Sequence, residues 1–194
     1  VTETSVPYPL YVFSGTMLWQ IFVEAVNAPL AITTQSKSML SKINFPKEAL
    51  ILSGIYQTLF NGFIKVIIVF VVIMLYGIYP DKDILFFPLS FLVLIIFGTT
   101  LGLFLTPIGV LYTDIGKALP LVMQFFMYLT PVLFVIPESG ISRQVYLLNP
   151  ITNVLEVSRN SILGQDLTLL NPFFITSLVL VIFLLLSWFF YGIA

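Results

Sequence analysis

The stretch ILFFPLSFLVLIIFGTTLGLFLTPIGVLYT, residues 84–113, contains no charged side chain from end to end. A helix needs about 20 mostly apolar residues to cross the hydrocarbon core of a bilayer, and this stretch exceeds that length. Lipid offers the backbone no hydrogen-bond partner, so an apolar segment can cross only if its backbone bonds are made internally. The stretch therefore predicts a membrane-spanning helix.

The composition of the whole chain agrees with this interpretation. Of its 194 residues, 59% are hydrophobic and only 9% are charged, and the formal net charge is −1. An ordinary soluble domain has about 25% charged residues. These values exclude a soluble globular domain, a disordered tail and a basic protein that binds nucleic acid. The sequence predicts an all-α, polytopic membrane helical bundle.

The absence of two residue types limits the chemistry of the chain. It contains no His, which excludes Ser-His catalysis, histidine proton relays and HExxH zinc sites. It contains no Cys, which excludes thiol nucleophiles and cysteine metal sites. No GxxxxGK[ST] phosphate-binding loop occurs either. We therefore expect no catalytic residue, no metal and no cofactor in this chain.

Charged residues divide the chain into apolar segments and so locate its spans. The five predicted spans cover residues 10–33, 49–76, 84–113, 118–136 and 172–193. Residues 145–163 are more polar and are framed by Pro150 and Pro172. Because non-helical or polar backbone at membrane depth is tolerated only against protein or a water-filled cavity, we expect an interfacial or re-entrant helix here.

The loops indicate an orientation. Lys37, Lys42 and Lys47 lie in one short connection, which the positive-inside rule places in the cytoplasm. Alternation of the spans then places residues 137–171 outside. The chain begins at Val1 and ends in an apolar stretch. We interpret it as a segment of a longer protein.

Two charged residues, Glu24 and Lys65, fall inside predicted spans. Their estimated depths differ by about 12 Å at the rise of an α-helix, so we expect no direct ion pair without tilt or a register shift. One interpretation is a polar cavity or substrate path, since intramembrane charges are commonly functional. The alternative is snorkelling, or pairing within a helix interface.

Polar and aromatic side chains accompany these charges. Gln57 and Asn61 share a helical face with Lys65, and either a conduit or interhelical hydrogen bonding would explain them. Aromatic rings can stack on sugars, but most membrane aromatics pack or form the interfacial belt, as we expect for Tyr8, Tyr11 and Tyr79. The candidate substrate-path residues are Trp19, Glu24, Tyr56, Phe60, Asn61, Lys65, Phe126 and Tyr128.

Glu156 and Arg159 stand three residues apart in the segment that we expect to be re-entrant. Residues at this spacing are neighbours on a helix, so a local ion pair is expected. At the outer mouth of a path such a pair would act as a gate. It would equally serve only to neutralise a polar element, and surface pairs contribute little to stability.

Several motifs together resemble the ABC-2 type permeases. They are YPLYVFSGTMLW at 8–19, SKINFPKE at 41–48, LGL at 101–103 with VLYTDI at 110–115, YLTPV at 128–132, and LNPIT at 148–152 followed by Arg159. Their order and spacing agree with the family along nearly the whole chain. The pattern is most similar to the polysaccharide exporter branch, which comprises O-antigen, capsule and teichoic acid permeases. One departure is Thr113, where the family usually has Arg before the Asp.

The resemblance implies a single ABC-2 transmembrane domain over residues 1–194, with the N-terminal amphipathic helix, the first of six spans and the C-terminal tail missing. It implies a homodimer in the bacterial cytoplasmic (inner) membrane, with two separate ATPase subunits that carry ATP and Mg. Coupling to the ATPases would use Lys37, Lys42, Phe45, Pro46, Lys47, Asp114 and Lys117. Re-entrant helices over residues 149–164 would lie near the exit and include Asn149, Pro150, Glu156 and Arg159.

Three functions remain open from the sequence. The first is export of a lipid-linked polysaccharide through a membrane permease that a separate ATPase drives. The second is an ABC-2 permease for a drug or another lipid. The third is an ion-coupled carrier or an intramembrane enzyme. A carrier would need Glu24 or Lys65 to titrate, and the lack of His and Cys disfavours catalysis.

Overall fold

A computed structural model of the chain describes residues 6–36, 47–79, 81–137 and 140–193. Within these ranges the structure contains helices and no strand, which confirms the all-α prediction. A short 3-10 helix, Lys82–Phe86, precedes the third α-helix. The α-helices are α1 (Tyr8–Gln35), α2 (Lys47–Leu75), α3 (Phe87–Leu111), α4 (Thr113–Leu129), α5 (Ile141–Leu148), α6 (Pro150–Leu163) and α7 (Leu170–Ile193).

Three helical stretches of the described chain are long and apolar enough to cross a membrane. They are Glu48–Leu75, Lys82–Leu111 and Leu170–Gly192, and they correspond to three of the five predicted spans. The other two predicted spans are also helical. α1 has 28 residues, which gives it a length of about 42 Å, and α4 has 17 residues, or about 25 Å.

The boundaries of α4 correct the prediction of a span over 118–136. The helix begins at Thr113 and ends at Leu129. The proline ring of Pro131 disfavours the helical conformation of the preceding residue, and Thr130 is accordingly extended, with ψ of 142°. The chain therefore leaves the helix seven residues earlier than its hydropathy predicts.

α1 lies at the centre of the bundle and packs mainly against α2 and α3. Two glycines one turn apart on α3, Gly98 and Gly102, allow the two backbones to approach closely. A methyl group on Gly98 would stand 2.7 Å from the carbonyl oxygen of Phe22, and one on Gly102 would overlap the carbonyl oxygen of Val26. Small residues at helix interfaces are typical of membrane bundles, where dispersion contacts replace the hydrophobic effect.

The polar segment after α4 forms a helical hairpin. Instead of one helix over 145–163, α5 and α6 meet at Asn149, whose side chain accepts a hydrogen bond from the N–H of Ile151 at 3.1 Å and caps α6. α6 packs against α1, α3, α7 and the 3-10 helix. All of its residues except Pro150 and Asn160 are buried. It is therefore an internal element at the end of the bundle where the 3-10 helix lies.

Candidate functional site

One face of α1 stays accessible after the other helices have packed around it. The side chains on this face are mostly polar and recur at helical spacing: Thr16, Gln20, Glu24, Asn27 and Thr34, each exposed or half-buried. Spacings of three, four and seven residues align these side chains in one stripe. We call these five residues the polar stripe.

Glu24 is the centre of the polar stripe and carries two partners from α2. Lys65 Nζ lies 2.7 Å from Glu24 Oε2, and Asn61 Nδ2 donates a hydrogen bond to the other carboxylate oxygen. The side chains of Lys65 and Glu24 are 24% and 27% exposed. The pair is therefore neutralised within the bundle, yet part of each charged group remains accessible from the face of α1.

This ion pair contradicts the expectation that the two charges lie too far apart. Gly62 of α2 faces Ile21, and Gly54 faces Ala28. From this register, Lys65 stands about six residues, or roughly 9 Å, beyond the level of Glu24 along the helix axes. The estimated depth difference was close to correct, but the long lysine side chain extends back along the helix surface and covers the distance.

The polar stripe continues into a cavity at the opposite end of the bundle from α6. The cavity has a volume of about 610 Å³. It is lined by the end of α1, the end of α3 and the first turns of α4: Asn27, Leu30, Ala31, Thr34, Gln35, Gly109, Val110, Thr113, Gly116, Lys117 and Pro120. Lys117, a predicted coupling residue, thus borders the same space as Asn27 and Thr34. Asp114 is exposed in the first turn of α4.

The candidate aromatic residues separate into three environments. Tyr56 and Phe60 lie on the exposed face of α2, and Tyr128 is exposed near the end of α4. Phe126 borders an apolar cavity of about 570 Å³ between α3, α4, α7 and the hairpin turn. Trp19 is buried, and its ring packs 5.3 Å from that of Phe22. In this chain Trp19 is a packing residue and does not line the accessible face.

Glu156 and Arg159 form the expected ion pair, but the pair is buried. The side chain of Arg159 has no exposed surface, and its guanidinium carbon lies 3.6 Å from the centre of the Tyr11 ring. The Tyr11 hydroxyl lies 3.4 Å from Glu156 Oε1, to which it donates. The expectations of a surface pair and of Tyr11 as a belt residue are therefore wrong. Tyr8 and Tyr79 are exposed.

The other predicted site residues are only partly covered by the structure. Lys37, Lys42, Phe45 and Pro46 lie outside the described residues, and Lys47 begins α2. Their contact with an ATPase stays a prediction. Sequence reasoning missed Gly15, Gly98 and Gly102, although the GxxxG spacing of the last two is a readable signal of close helix packing.

Within the described residues, no group of three or more His, Cys, Asp or Glu side chains is arranged to hold a metal ion. The geometry combines apolar spanning helices, a polar stripe at membrane depth and a helical hairpin whose second helix, α6, is buried. These features define a polytopic helical membrane domain with polar groups accessible on one face of α1.

The chain belongs to the ABC-2 type transporter family, whose model matches residues 2–163. The members of this family are transport subunits and fit a multi-pass location in the bacterial inner membrane. The match confirms the family resemblance that the sequence motifs indicated.

Two curated relatives are similar to the chain. It is 24% identical over 159 residues to the O-antigen export system permease protein RfbA of Myxococcus xanthus, covering 80% of this chain and 61% of that protein. It is 22% identical over 166 residues to the polysialic acid transport protein KpsM of Escherichia coli, covering 84% of this chain and 64% of that protein. The chain thus spans somewhat over three fifths of the length of these relatives.

Proposed function

We propose that the chain is the membrane-embedded part of a permease subunit that exports a lipid-linked polysaccharide across the cytoplasmic membrane. A separate ATPase subunit, present in two copies, supplies the energy, and two copies of the permease form the path. The family membership and the two relatives, which are named for O-antigen export and polysialic acid transport, support this proposal.

The observation that carries the proposal is the accessible ion pair of Glu24 and Lys65 within the polar stripe. An ionised group that faces hydrocarbon costs about 2.5–3.5 kcal/mol on insertion scales. The chain places one carboxylate and one ammonium at membrane depth and keeps both partly accessible. A polar substrate needs groups that it can reach, and the partial exposure of both charged groups meets this requirement.

The polar stripe and the aromatic residues suit a glycan. Hydroxyl, amide and carboxylate groups exchange hydrogen bonds with sugar hydroxyls, and the exposed rings of Tyr56, Phe60 and Tyr128 offer apolar surfaces to the faces of sugar rings. Neither type of contact demands one particular sugar. This property is useful in a path along which a long, repeating polymer must slide.

The movement that drives export would begin at the cytoplasmic side of the permease. ATP binding would close the ATPase pair and move the loop of residues 37–47 together with the first turn of α4, which carries Asp114 and Lys117. Such a movement requires that the ATPases contact the two conformations of the permease with different free energies. The cavity next to Lys117 leaves space for the first turns of α4 to move.

Export in cells tests this proposal. The full-length permease and its cognate ATPase are expressed in a bacterium that lacks both. We expect surface glycan with the pair, and lipid-linked glycan retained in the cytoplasm when either subunit is omitted or the ATPase is inactivated. Surface glycan made without ATPase activity would contradict the proposal.

Two alternatives predict different results in the same cells. An ion-coupled carrier would keep working without ATP hydrolysis and would stop when an uncoupler collapses the proton gradient. A permease for a drug or another lipid would leave surface glycan unchanged on deletion and would alter drug resistance or lipid composition. Inverted vesicles supplied with ATP and an uncoupler separate the first alternative from ATP-driven export.

A further inference from the structure

The chain loses its helical hydrogen bonds between α4 and the hairpin while it is still inside the bundle. Residues 130–134 follow α4. At their start, Thr130 Oγ1 accepts a hydrogen bond at 3.2 Å from Asn149 Nδ2, which lies at the hairpin turn. Val132 passes α1 at Gly15, two turns into that helix, where an added methyl group would stand 2.7 Å from the Val132 carbonyl oxygen. Thr130 leaves α4 with extended backbone, and turns and bends follow up to residue 134. We call residues 130–134 the extended segment after Thr130.

Backbone of this kind is tolerated at membrane depth only if the protein supplies its partners. Four consecutive carbonyl groups of the extended segment receive them from side chains. Arg159 Nη1 donates to the carbonyl oxygens of Pro131 and Val132 at 3.1 and 3.3 Å. The Tyr8 hydroxyl donates to the carbonyl oxygen of Leu133 at 2.9 Å. The Tyr11 hydroxyl shares its one proton between the carbonyl oxygen of Phe134 at 3.2 Å and Glu156 Oε1 at 3.4 Å. Side chains of α1 and α6 thus replace a helical ladder.

Arg159 is the strongest of these partners. Its guanidinium is fully buried, pairs with Glu156 through Nη2 and lies over the ring of Tyr11. Arginine cannot lose its charge in a protein, so the carbonyl oxygens and the carboxylate must solvate it. Release of the extended segment would leave the buried charge with fewer partners. The contact between Arg159 and the extended segment is therefore difficult to break.

The packing of α4 itself is much looser. Of its residues, Leu119 and Met123 are the buried ones, and the first turn borders the cavity of about 610 Å³. α6, which carries Arg159, is by contrast almost wholly buried against α1, α3 and α7. α4 leads into the extended segment. The helix itself buries few residues, whereas the chain just beyond its outer end is hydrogen-bonded to buried side chains.

We propose that Arg159 is a positioning residue that anchors the outer end of α4 to the core, through the carbonyl groups of Pro131 and Val132. The anchor makes this end the fixed point of α4 when the opposite end moves. The assignment of that movement to ATP rests on the proposed function, but the anchor does not depend on it.

Distances between spin labels test the anchor directly. Because this chain has no Cys, paired labels at introduced cysteines report defined positions, provided that any cysteine elsewhere in the full-length protein is replaced. An outer pair joins Gln20→Cys on α1 to Leu129→Cys at the end of α4; both side chains are exposed. The full-length permease with its ATPase is placed in nanodiscs without nucleotide.

We expect a narrow distance distribution for the parent protein and at least a twofold broader one for Arg159→Met. Arg159→Lys keeps the charge but lacks the fork that reaches two carbonyl groups and Glu156 together, so its distribution should be intermediate. The matched control is Ser158→Ala, which removes a buried hydroxyl that bonds only within α6. Equal widths for Arg159→Met and the control would overturn the anchor. If Arg159→Met fails to insert into the membrane, Arg159→Lys decides the result. A distance distribution for Arg159→Lys as narrow as that of Ser158→Ala would overturn the anchor.

A second label pair separates the anchor from the proposed function. It joins Ala31→Cys to Ala118→Cys across the inner cavity, where both positions are exposed. With ATP we expect this inner distance to shift by several ångströms while the outer distance stays constant. An outer distance that shifts as far as the inner one would overturn the anchor. An inner distance that stays constant would count against ATP-driven movement, while the nucleotide-free widths would still decide the anchor.

Discussion

At the scale of single residues, the ion pair of Glu24 and Lys65 allows stability and the proposed function to be tested separately. Each charge is tolerated at membrane depth because the other lies 2.7 Å away and Asn61 completes the cluster. Removal of one partner leaves the other charge without its counter-ion in a medium of low dielectric. Removal of both leaves a neutral, hydrogen-bonding site.

The variant Lys65→Met should therefore lower the amount of folded, membrane-inserted permease, since an unpaired intramembrane charge costs about 2.5–3.5 kcal/mol. The double variant Glu24→Gln, Lys65→Met should recover most of that amount, because no charge is left unpaired. Export should stay reduced in both if the pair borders the path. Membrane yield and surface glycan are the two measurements.

Lys82→Met is the matched control for this series, because Lys82 is an exposed lysine at the first position of the 3-10 helix. It should leave yield and export unchanged. If the double variant exported at the parental rate, the pair would be a structural contact and the substrate-path interpretation of Glu24 and Lys65 would fail.

At the scale of elements, the contact between α1 and α3 depends on the absence of side chains at Gly98 and Gly102. We expect Gly102→Ala to destabilise the bundle by about 1–3 kcal/mol, the usual cost of overpacking, because its methyl group would overlap the Val26 carbonyl oxygen. Thermal unfolding in detergent measures the effect. Gly192→Ala is the control, since nothing lies within 4 Å of a methyl group there. Equal unfolding temperatures for the two variants would contradict the close packing of α1 and α3.

The turn of the hairpin depends on Asn149, which caps α6 and also bonds Thr130. Loss of an N-cap costs about 1 kcal/mol, so Asn149→Ala should loosen the first turn of α6. Hydrogen exchange at the amide of Ile151 should become about fivefold faster, as expected for a loss of about 1 kcal/mol. Asn149→Ser, which retains a capping oxygen, should keep most of the protection. If the Ile151 amide exchanged at the same rate in Asn149→Ala and Asn149→Ser, the side-chain oxygen of Asn149 would not stabilise the first turn of α6.

The helices were predictable from the sequence because charges interrupt the hydropathy at nearly every connection. α1, α2, α3 and α7 lie within a few residues of the predicted spans. The relation between helices was not predictable in the same way. The depth of a residue along one helix can be counted from the end of that helix. Whether Lys65 reaches Glu24 depends instead on the register of α1 against α2, and the hydrophobic periodicity of each helix does not predict that register.

The burial of Arg159 was hidden for a related reason. A segment with two charged residues is expected to be exposed. α6 nevertheless buries both charges, because they pair with each other and the carbonyl groups of the extended segment bond to Arg159. Those carbonyl groups are free only because Pro131 ends α4 early. The Thr-Pro pair at 130–131 is a readable signal that α4 ends early. The partners of the freed carbonyl groups are not readable in the same way, because they lie about 28 and 120 positions away in the sequence.

At the scale of the whole molecule, the bundle is asymmetric between its two ends. One end holds the hairpin with its buried helix α6, which provides the anchor of α4. The other holds the cavity beside Lys117, together with the end of α1 and the start of α2; residues 37–46, which connect these two helices, lie outside the described residues. Exposed apolar side chains on α7, such as Leu178 and Leu185, suit contact with hydrocarbon between these ends. If an ATPase drives the bundle from one side, as proposed, the driven end must move while the other end stays in place. The packing is tight around α6 and open at the cavity.

The last prediction concerns the movable end. If the ATPase docks there, replacing residues 37–47 by Gly and Ser in the full-length permease should reduce co-purification of the ATPase at least tenfold, without loss of membrane insertion. Three lysines in the connection make the contact partly electrostatic, so raising the salt concentration should weaken binding by the parent protein in the same direction.

The matched control replaces residues 78–83, the connection on the opposite side of the predicted topology, by Gly and Ser. This change should leave ATPase binding intact, because the predicted topology places those residues on the side away from the cytoplasm. Undiminished co-purification after replacement of 37–47 would remove the docking role. Thiol labelling of an introduced Ser41→Cys by a membrane-impermeant reagent in intact cells would place the connection outside, and the predicted orientation of the whole bundle would then be inverted.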